Sequence, residues 1–456
     1  MANGSIYDIL IIGGGQAGIP LAYKLAGEGK QVALAERKHL GGSCVNFGCT
    51  PTKAAIASAK VAHQARRAAE YGIRIPEVEV DFPAVIERAR GMAENSRSGI
   101  ESGFADSENP VLLQGHAAFE GRDDEGFRVR VGDETVIAKE VVLNTGTRTA
   151  IPPVDGLDEI DYIDSGNWLE HTELPEHVAI VGGGYIGLEM AQFYRRMGSR
   201  VTVIAGSSGR VASREDEEVS EAIQGILEEE GVEFLHNTRA EKVEKNGDGI
   251  KLTLGGDKPS EVEASHLFIA TGRTPNTDDL GLENIGLETA KGIVEADERL
   301  KTGVEGVWVA GDIRGGPMFT HTSYDDFRVL FSQMAGDGSH TTDRVVPYAI
   351  FTDPELGRAG MTEREARDAG YDVEVMRFEM KKDGKATEIG ETKGFIKVVA
   401  DAGSGRILGA AVLAAEGAEL VHMYIDLMNT EAPLDVMRNA VHIHPTLAEA
   451  VQSAVS

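Results

Sequence analysis

The sequence predicts an α/β fold in which one strand–turn–helix–strand pattern is used twice. Three observations predict it. At 456 residues the chain is long enough for about three domains. An apolar run, a glycine-rich turn and a helical stretch fill positions 6–36. The same succession returns at positions 177–206.

In the first copy, the apolar run Ile6–Ile12 is bounded by glycines and reads as a buried parallel strand. The turn is Gly13-x-Gly15-x-x-Gly18, followed by a helical pattern from Ala17 to Gly27. A second strand, Val32–Ala35, ends at Glu36. Glycines permit a tight turn and let a pyrophosphate approach the helix N-terminus. An acid about 20 residues later can bind a ribose 2′-hydroxyl. Strand, turn, helix and acid together make a Rossmann-like dinucleotide-binding unit.

The second copy has a strand, then Gly182-x-Gly184-x-x-Gly187, a helix and the strand Val201–Ile204. It differs where the first has Glu36. Here the chain reads AGSSGR (205–210), with no acid. A carboxylate would repel a 2′-phosphate, so its absence beside Ser207, Ser208 and Arg210 favours NADP, with NAD still open. Two dinucleotide sites imply two cofactors, and a flavin with a nicotinamide is the economical pair, since hydride passes between them. Three further strand ends suit close passage beside a cofactor: VVLNTG (141–146), LFIATGR (267–273) and VWVAGD (307–312).

Composition narrows the function. The chain has 45 basic and 74 acidic residues, a net charge of −29. Nucleic acid is therefore not an expected partner, because phosphate contacts need clustered Lys and Arg, and neither is an anionic membrane. Lys is scarcer than Arg, 17 against 28, and acid dominates, which fits either simple solubility or a salt-rich cytoplasm. No apolar stretch reaches membrane-spanning length. The apolar start lacks a basic leader and is interrupted at Gly13, so secretion is not expected. Two cysteines are too few for a disulfide-stapled exported fold. The expected compartment is the cytoplasm.

Two motifs carry a family resemblance: C-x-x-x-x-C with P-x-K in GGSCVNFGCTPTK (41–53), and H-x-H-P-T-x-x-E at 442–449. From Ile6 to Glu449 the chain resembles the class I pyridine nucleotide–disulfide oxidoreductases, the family of dihydrolipoamide dehydrogenase, glutathione reductase and mercuric reductase. The resemblance implies a split FAD-binding domain (1–150 and 276–345), an inserted NAD(P)-binding domain (151–275) and a C-terminal α+β interface domain (346–456) that makes a homodimer. The seams fall near AIPPVDG (150–156) and RTPNTDDLG (273–281), which have linker composition.

The resemblance also implies site residues. FAD contacts fall on Gly13, Gly15, Gly18, Glu36, Gly42, Ser43, Lys53, Ala117, Thr145, Gly146, Asp312 and His321. Asp312 matches the acid that binds the ribityl chain, and His321 stands at a helix start suited to negative charge on reduced flavin. Nicotinamide nucleotide contacts fall on Gly182, Gly184, Tyr185, Ile186, Gly187, Ser207, Arg210, Gly272 and Arg273. Tyr185 matches an aromatic that covers the nicotinamide pocket in some members.

Cys44 and Cys49 are the only two cysteines. A zinc site would need four ligands, and there is no second Cys pair. A structural disulfide across so short a loop would stabilise by only about 2 kcal/mol and is disfavoured in the cytosol. Two inert thiols and a redox disulfide remain, and the family motif selects the redox pair. Pro51 suits the first turn of a helix, which places both cysteines at or just before its N-terminus, where a thiolate is stabilised. By resemblance, Cys49 is the thiolate against the flavin and Cys44 the thiol that attacks substrate. Lys53, paired with Glu189, lies near the flavin. His444, oriented by Glu449, moves protons for the partner subunit's Cys44. His442 is assigned to packing.

The implied activity passes hydride from NADPH through FAD to the Cys44–Cys49 disulfide, then to a small disulfide or a soft metal ion. CVNFGC and VTVIAG…REDEE resemble the mercuric reductase branch. The chain nevertheless ends AVQSAVS, without the terminal Cys pair expected for mercury delivery, begins without a metal-binding module, and carries the His–Glu pair of disulfide reductases. Two alternatives stand beside this reading. One is a dihydrolipoamide dehydrogenase of a 2-oxo acid dehydrogenase complex; the other is a flavoprotein redox sensor or oxidase.

Overall fold

The computed structural model describes residues 5–206, 208–257 and 259–456, arranged as two compact units. Among the described residues, the first comprises 5–54, 87–150 and 273–344; the second comprises 55–86, 151–206, 208–257, 259–272 and 345–456.

The first unit is built on a seven-stranded sheet. Ile6–Ile12 lies at its centre, parallel to Val32–Glu36 on one side and Glu134–Leu143 on the other. Val111–Gln114 extends the first side and Val307–Val309 pairs with the second, both parallel. An antiparallel meander, Ala117–Asp123 and Gly126–Val131, joins Glu134–Leu143. Side chains alternate across a strand. Accordingly Leu10 and Ile12 enter a core shared with Phe119, Phe127 and Val141. Ile9 and Ile11 enter another beneath helix Gly18–Gly27, with Leu21, Leu25 and Leu34. Burial on both faces is why the strand reads as a continuous apolar run.

The second unit repeats the plan. Val232–Leu235, Arg200–Ile204, His177–Val181, His266–Ile269 and Ile163–Asp164 form a parallel five-stranded sheet in that order. Helix Tyr185–Met197 follows the second glycine turn. The segment Thr238–Ala264 adds a three-stranded antiparallel sheet.

Toward the C-terminus, five antiparallel strands run in the order Pro347–Ile350, Glu355–Gly360, Ile407–Ala414, Phe395–Asp401 and Val373–Glu379. One face, with Ile396, Val398, Ala410 and Val412, packs into a core with Tyr424 and Val451. The opposite face buries charge: Arg358 and Lys397 are each 1% exposed. Among the described residues no helix is long and apolar enough to cross a membrane.

Candidate active site

The first glycine turn is closed by backbone contact. Gly13 has φ +108°, and a Cβ there would stand 2.2 Å from the carbonyl oxygen of Asn144. A Cβ on Gly18 would meet the Gly13 carbonyl oxygen at 2.4 Å. Only glycine fits either position. Glu36 reaches back to the turn: its Oε2 accepts the Gly14 N–H at 2.8 Å, while Oε1 accepts the Lys38 N–H at 2.8 Å. Gln16 donates from Nε2 to the Gly41 carbonyl at 3.1 Å. Gly41 and Gly42 have φ +97° and +62°, and a Cβ on Gly42 would come within 3.0 Å of Gly15 Cα.

Sequence reasoning passed over Asn144, although it lies inside VVLNTG. Its Oδ1 accepts the Gly18 N–H at 3.0 Å and its Nδ2 donates to the Ala310 carbonyl at 2.9 Å. One buried side chain thus ties the glycine turn to the ends of two other strands. An open glycine-lined turn at the N-terminus of a ten-residue helix suits a dinucleotide pyrophosphate, so these residues fit a bound FAD.

The other predicted FAD residues belong to the same unit. Ala117 is buried at the start of its strand. Thr145 donates from Oγ1 to the Asn276 carbonyl at 2.8 Å, and no atom crowds a Cβ built on Gly146. Asp312 accepts from Thr147 Oγ1 at 3.3 Å and Ser323 Oγ at 3.5 Å. Burial pushes its carboxyl above the usual range, against the pull of Arg273. Arg273 itself donates to Thr147, from Nε to Oγ1 at 3.0 Å and from Nη2 to the carbonyl at 2.9 Å. His321 is the second residue of helix Thr320–Ala335 and stacks on Phe319.

The cysteine segment corrects one expectation. Cys49 opens the long helix Cys49–Arg67, with Pro51 in its first turn. Cys44 does not share that N-terminus; it lies with Gly42 and Ser43 in a separate short helix, Gly42–Asn46. Gly48 separates the two helices, and a Cβ on it would press on the Ser43 carbonyl oxygen at 2.8 Å. Both sulfurs are present as thiols, with no disulfide joining them. The Cys44 thiol is pushed well up, first by its hydrogen bond with Cys49, then by burial and the charge of Cys49. The Thr320 hydroxyl and the Lys53 charge oppose this. A thiolate on Cys44 is therefore disfavoured while Cys49 carries charge. Lys53 lies one turn after Cys49 on the same helix face. Thr320, 3.2 Å from Cys49 Sγ through its Oγ1, is a further neighbour that local sequence reasoning missed. Its position 271 residues away explains the omission.

In the second unit, Gly182 has φ +121° and would meet the Ala270 carbonyl oxygen at 2.2 Å through a Cβ. Gly187 would meet that of Gly182 at 2.0 Å. Gly184 has nothing within 4 Å. The position of Glu36 is taken by Ala205, which packs against Gly183. Ser208 Oγ donates to the Arg210 carbonyl at 2.8 Å, and Arg210 Nη2 to the Ser213 carbonyl at 3.1 Å. Ser207 lies outside the described residues. Gly272 has φ +119° with open space around it, and Ile186 is exposed. Tyr185 donates from its hydroxyl to Glu215 Oε1 at 3.2 Å, and burial and the Glu215 charge push it up to about 12. Glu189 is buried and accepts the Phe351 N–H at 2.9 Å through Oε1.

Near the C-terminus, His444 Nδ1 lies 3.1 Å from both oxygens of Glu449. Glu449 also accepts the Thr446 N–H at 2.9 Å. That backbone bond, with His444, holds the Glu449 carboxyl below its usual range. The His444 side chain is 78% exposed and follows the exposed apolar residues Val441, at 98%, and Ile443, at 78%. His442 Nδ1 lies 3.0 Å from Gln452 Oε1, a contact consistent with packing.

Two glycine turns, a thiol pair and an oriented histidine describe a dinucleotide-dependent thiol oxidoreductase. The chain belongs to the pyridine nucleotide-disulphide oxidoreductases: residues 7–326 match that family and residues 346–455 match its dimerisation domain. Members of this family are oxidoreductases that bind FAD and use a pyridine nucleotide. The chain is 34% identical to a mercuric reductase of Streptomyces lividans, over 98% of its own length and 95% of the relative's. It is 32% identical to the mitochondrial dihydrolipoyl dehydrogenase of Pisum sativum, over 98% and 90%. Among solved structures, the Cu(II) complex of the HOCl-induced flavoprotein disulfide reductase RclA from Escherichia coli superposes with a TM-score of 0.89 at 30% identity, covering 100% of this chain and 99% of that one.

Proposed function

We propose that the protein is an NADPH-dependent, FAD-containing reductase that passes two electrons through Cys44 and Cys49 to a small disulfide or a soft metal ion. The observation that carries this reading is the thiol pair itself: Cys49 opens a long helix with its sulfur 3.2 Å from Thr320 Oγ1, and Cys44, in the short helix before it, hydrogen-bonds Cys49. Gly13, Gly15, Gly18, Glu36 and Asp312 would hold FAD, which supplies hydride acceptance from the nicotinamide and electron delivery to the sulfurs. The second turn, with Ala205 in place of an acid, would take NADPH.

In the reduced pair, the hydrogen bond with Cys49 and burial favour Cys44 in its protonated form. Cys44 must lose that proton to attack a substrate disulfide, and the leaving thiol must gain one. His444, held by Glu449 and bare to solvent, is suited to both transfers in a second subunit. The exposed apolar residues beside it suit burial in a homodimer. The balance is one NADPH, one proton and one disulfide giving NADP+ and two thiols. A soft metal ion would instead be held by the two sulfurs as substrate. The names of the relatives include mercuric reductase, and RclA is described as a Cu(II) complex, which supports testing metals.

A panel of disulfides, Hg(II) and Cu(II), assayed with NADPH, tests the reading. Cys44→Ser should abolish turnover with each accepted substrate, whereas an unchanged turnover number would exclude the thiol pair. His444→Gln should slow disulfide turnover by roughly 10²–10⁴-fold, the usual range for a lost acid–base group. A fall of less than about threefold would remove His444 from the mechanism. The second reading, a dihydrolipoyl dehydrogenase, is favoured by the His444–Glu449 pair and the Pisum relative. Preference for NAD+ as the oxidant of dihydrolipoamide, or for NADH with lipoamide in the reverse direction, would establish it.

A further inference from the structure

Tyr185 follows Gly184 directly, so its ring stands at the turn on which a dinucleotide must lie. The equivalent residue in the first turn is Gln16, tied to the Gly41 backbone. Tyr185 is tied to something different. Its ring stacks on Tyr348, with centroids 5.4 Å apart and planes at 22°. The hydroxyls of both tyrosines donate to one atom, Glu215 Oε1, at 3.2 Å from Tyr185 and 2.7 Å from Tyr348.

Glu215 is fixed from its other side. Its side chain is fully buried, and Oε2 faces Arg358 Nε at 3.9 Å, too long for a hydrogen bond. Neither Glu215 Oε2 nor Arg358 Nε has a hydrogen-bond partner among the described residues. The tyrosine hydroxyls therefore supply the hydrogen bonding of this buried carboxylate, while Arg358 supplies the opposing charge. Arg358 also bonds Asp216 Oδ2 at 3.2 Å from Nη1. Tyr348 and Arg358 are directly opposed on adjacent strands, Arg358 opposes Ala411, and Ala411 opposes Lys397. Lys397 holds Glu218 at 2.5 Å. One row across the C-terminal sheet thus holds Glu215, Asp216 and Glu218, and Glu215 cannot follow Tyr185 if the ring moves.

We propose that Glu215 is a positioning residue for the Tyr185 ring, and that the shared tyrosine–carboxylate bond sets how readily the second glycine turn admits its nucleotide. The proposal rests on that turn binding the nicotinamide nucleotide. A nucleotide that binds with the ring displaced has an apparent affinity reduced by the fraction of molecules in that state. Weakening the Tyr185–Glu215 bond raises that fraction. The Tyr348 hydroxyl also bonds the Tyr185 hydroxyl, but that neutral contact is weaker than a charge-assisted bond to a carboxylate, so removing it and leaving Glu215 Oε1 to Tyr185 lowers that fraction.

The two changes are therefore expected to act in opposite directions. With NADP+ titrated into FAD-loaded protein, Glu215→Gln should lower the apparent Kd about fivefold, the order expected for one weakened hydrogen bond. Tyr348→Phe should raise it by about two- to fivefold. If Glu215→Gln fails to fold, Tyr185→Phe removes the same bond from the other end and should also lower the Kd. Shifts in the same direction, or both within about twofold of the parent, would overturn the proposal. Gly187→Ala separates this from the reading beneath it. If that variant binds NADP+ as the parent does, the second turn is not the nucleotide site; if it loses binding while the Glu215 and Tyr348 variants match the parent, only the positioning role fails.

Discussion

The two glycine turns share a backbone and differ in what holds them. Around the first, side chains of Glu36, Gln16 and Asn144 bond the turn or its flanking backbone, and Asn144 extends the tie to Ala310. Around the second, the places of Glu36 and Asn144 are taken by Ala205 and Ala270, whose side chains cannot hydrogen-bond. Its tyrosine is held instead by a carboxylate outside the motif. A rigid, side-chain-locked turn suits a cofactor that stays, and a turn guarded by a movable ring suits a co-substrate that comes and goes. In the proposed enzyme these are FAD and NADPH.

The largest effects should come from breaking each turn in the same way. Gly18→Ala and Gly187→Ala both press a Cβ onto a backbone carbonyl, at 2.4 and 2.0 Å. Gly18→Ala is expected to purify with little flavin, read from visible absorbance against protein. Gly187→Ala should keep its flavin but need roughly 100-fold more NADPH for reduction, a loss in the range for several charge-assisted bonds. Flavin loss from Gly187→Ala with retention in Gly18→Ala would exchange the two assignments.

A smaller effect should follow from making the second turn resemble the first. Ala205→Glu places a carboxylate where Glu36 stands in the other copy. It should shift the ratio of kcat/KM for NADPH over NADH toward NADH by roughly 10- to 100-fold, through repulsion of the 2′-phosphate. An unchanged ratio would mean that the phosphate is read elsewhere. The smallest effect is expected from Arg210→Ala, because Arg210 lies on a solvent-facing loop. KM for NADPH should rise about three- to tenfold, with KM for NADH nearly unchanged.

This comparison was partly legible in the sequence, and the reason is local. Strand Ile6–Ile12 was readable because both faces are buried, and the glycine spacing was readable because each Cβ would strike a neighbouring carbonyl. The exchange of Glu36 for Ala205 was equally visible. The locks were not. Asn144 meets Gly18 across 126 positions, Thr320 meets Cys49 across 271 and Tyr348 meets Glu215 across 133. No periodic pattern within one segment encodes such pairs. The cysteine segment shows the same limit at short range. Its spacing suggested one helix start for both thiols, but the break at Gly48 gives Cys44 its own short helix and places it where Cys49 suppresses its ionisation.

The measurement that tests the central claim most directly is an anaerobic titration of the purified protein with NADPH and, separately, with NADH, following the flavin spectrum. The account predicts that two electrons produce a long-wavelength charge-transfer band from the Cys49 thiolate, with NADPH the better reductant. Bleaching of the flavin without that band would contradict it, because Cys44 and Cys49 would then not communicate with the flavin.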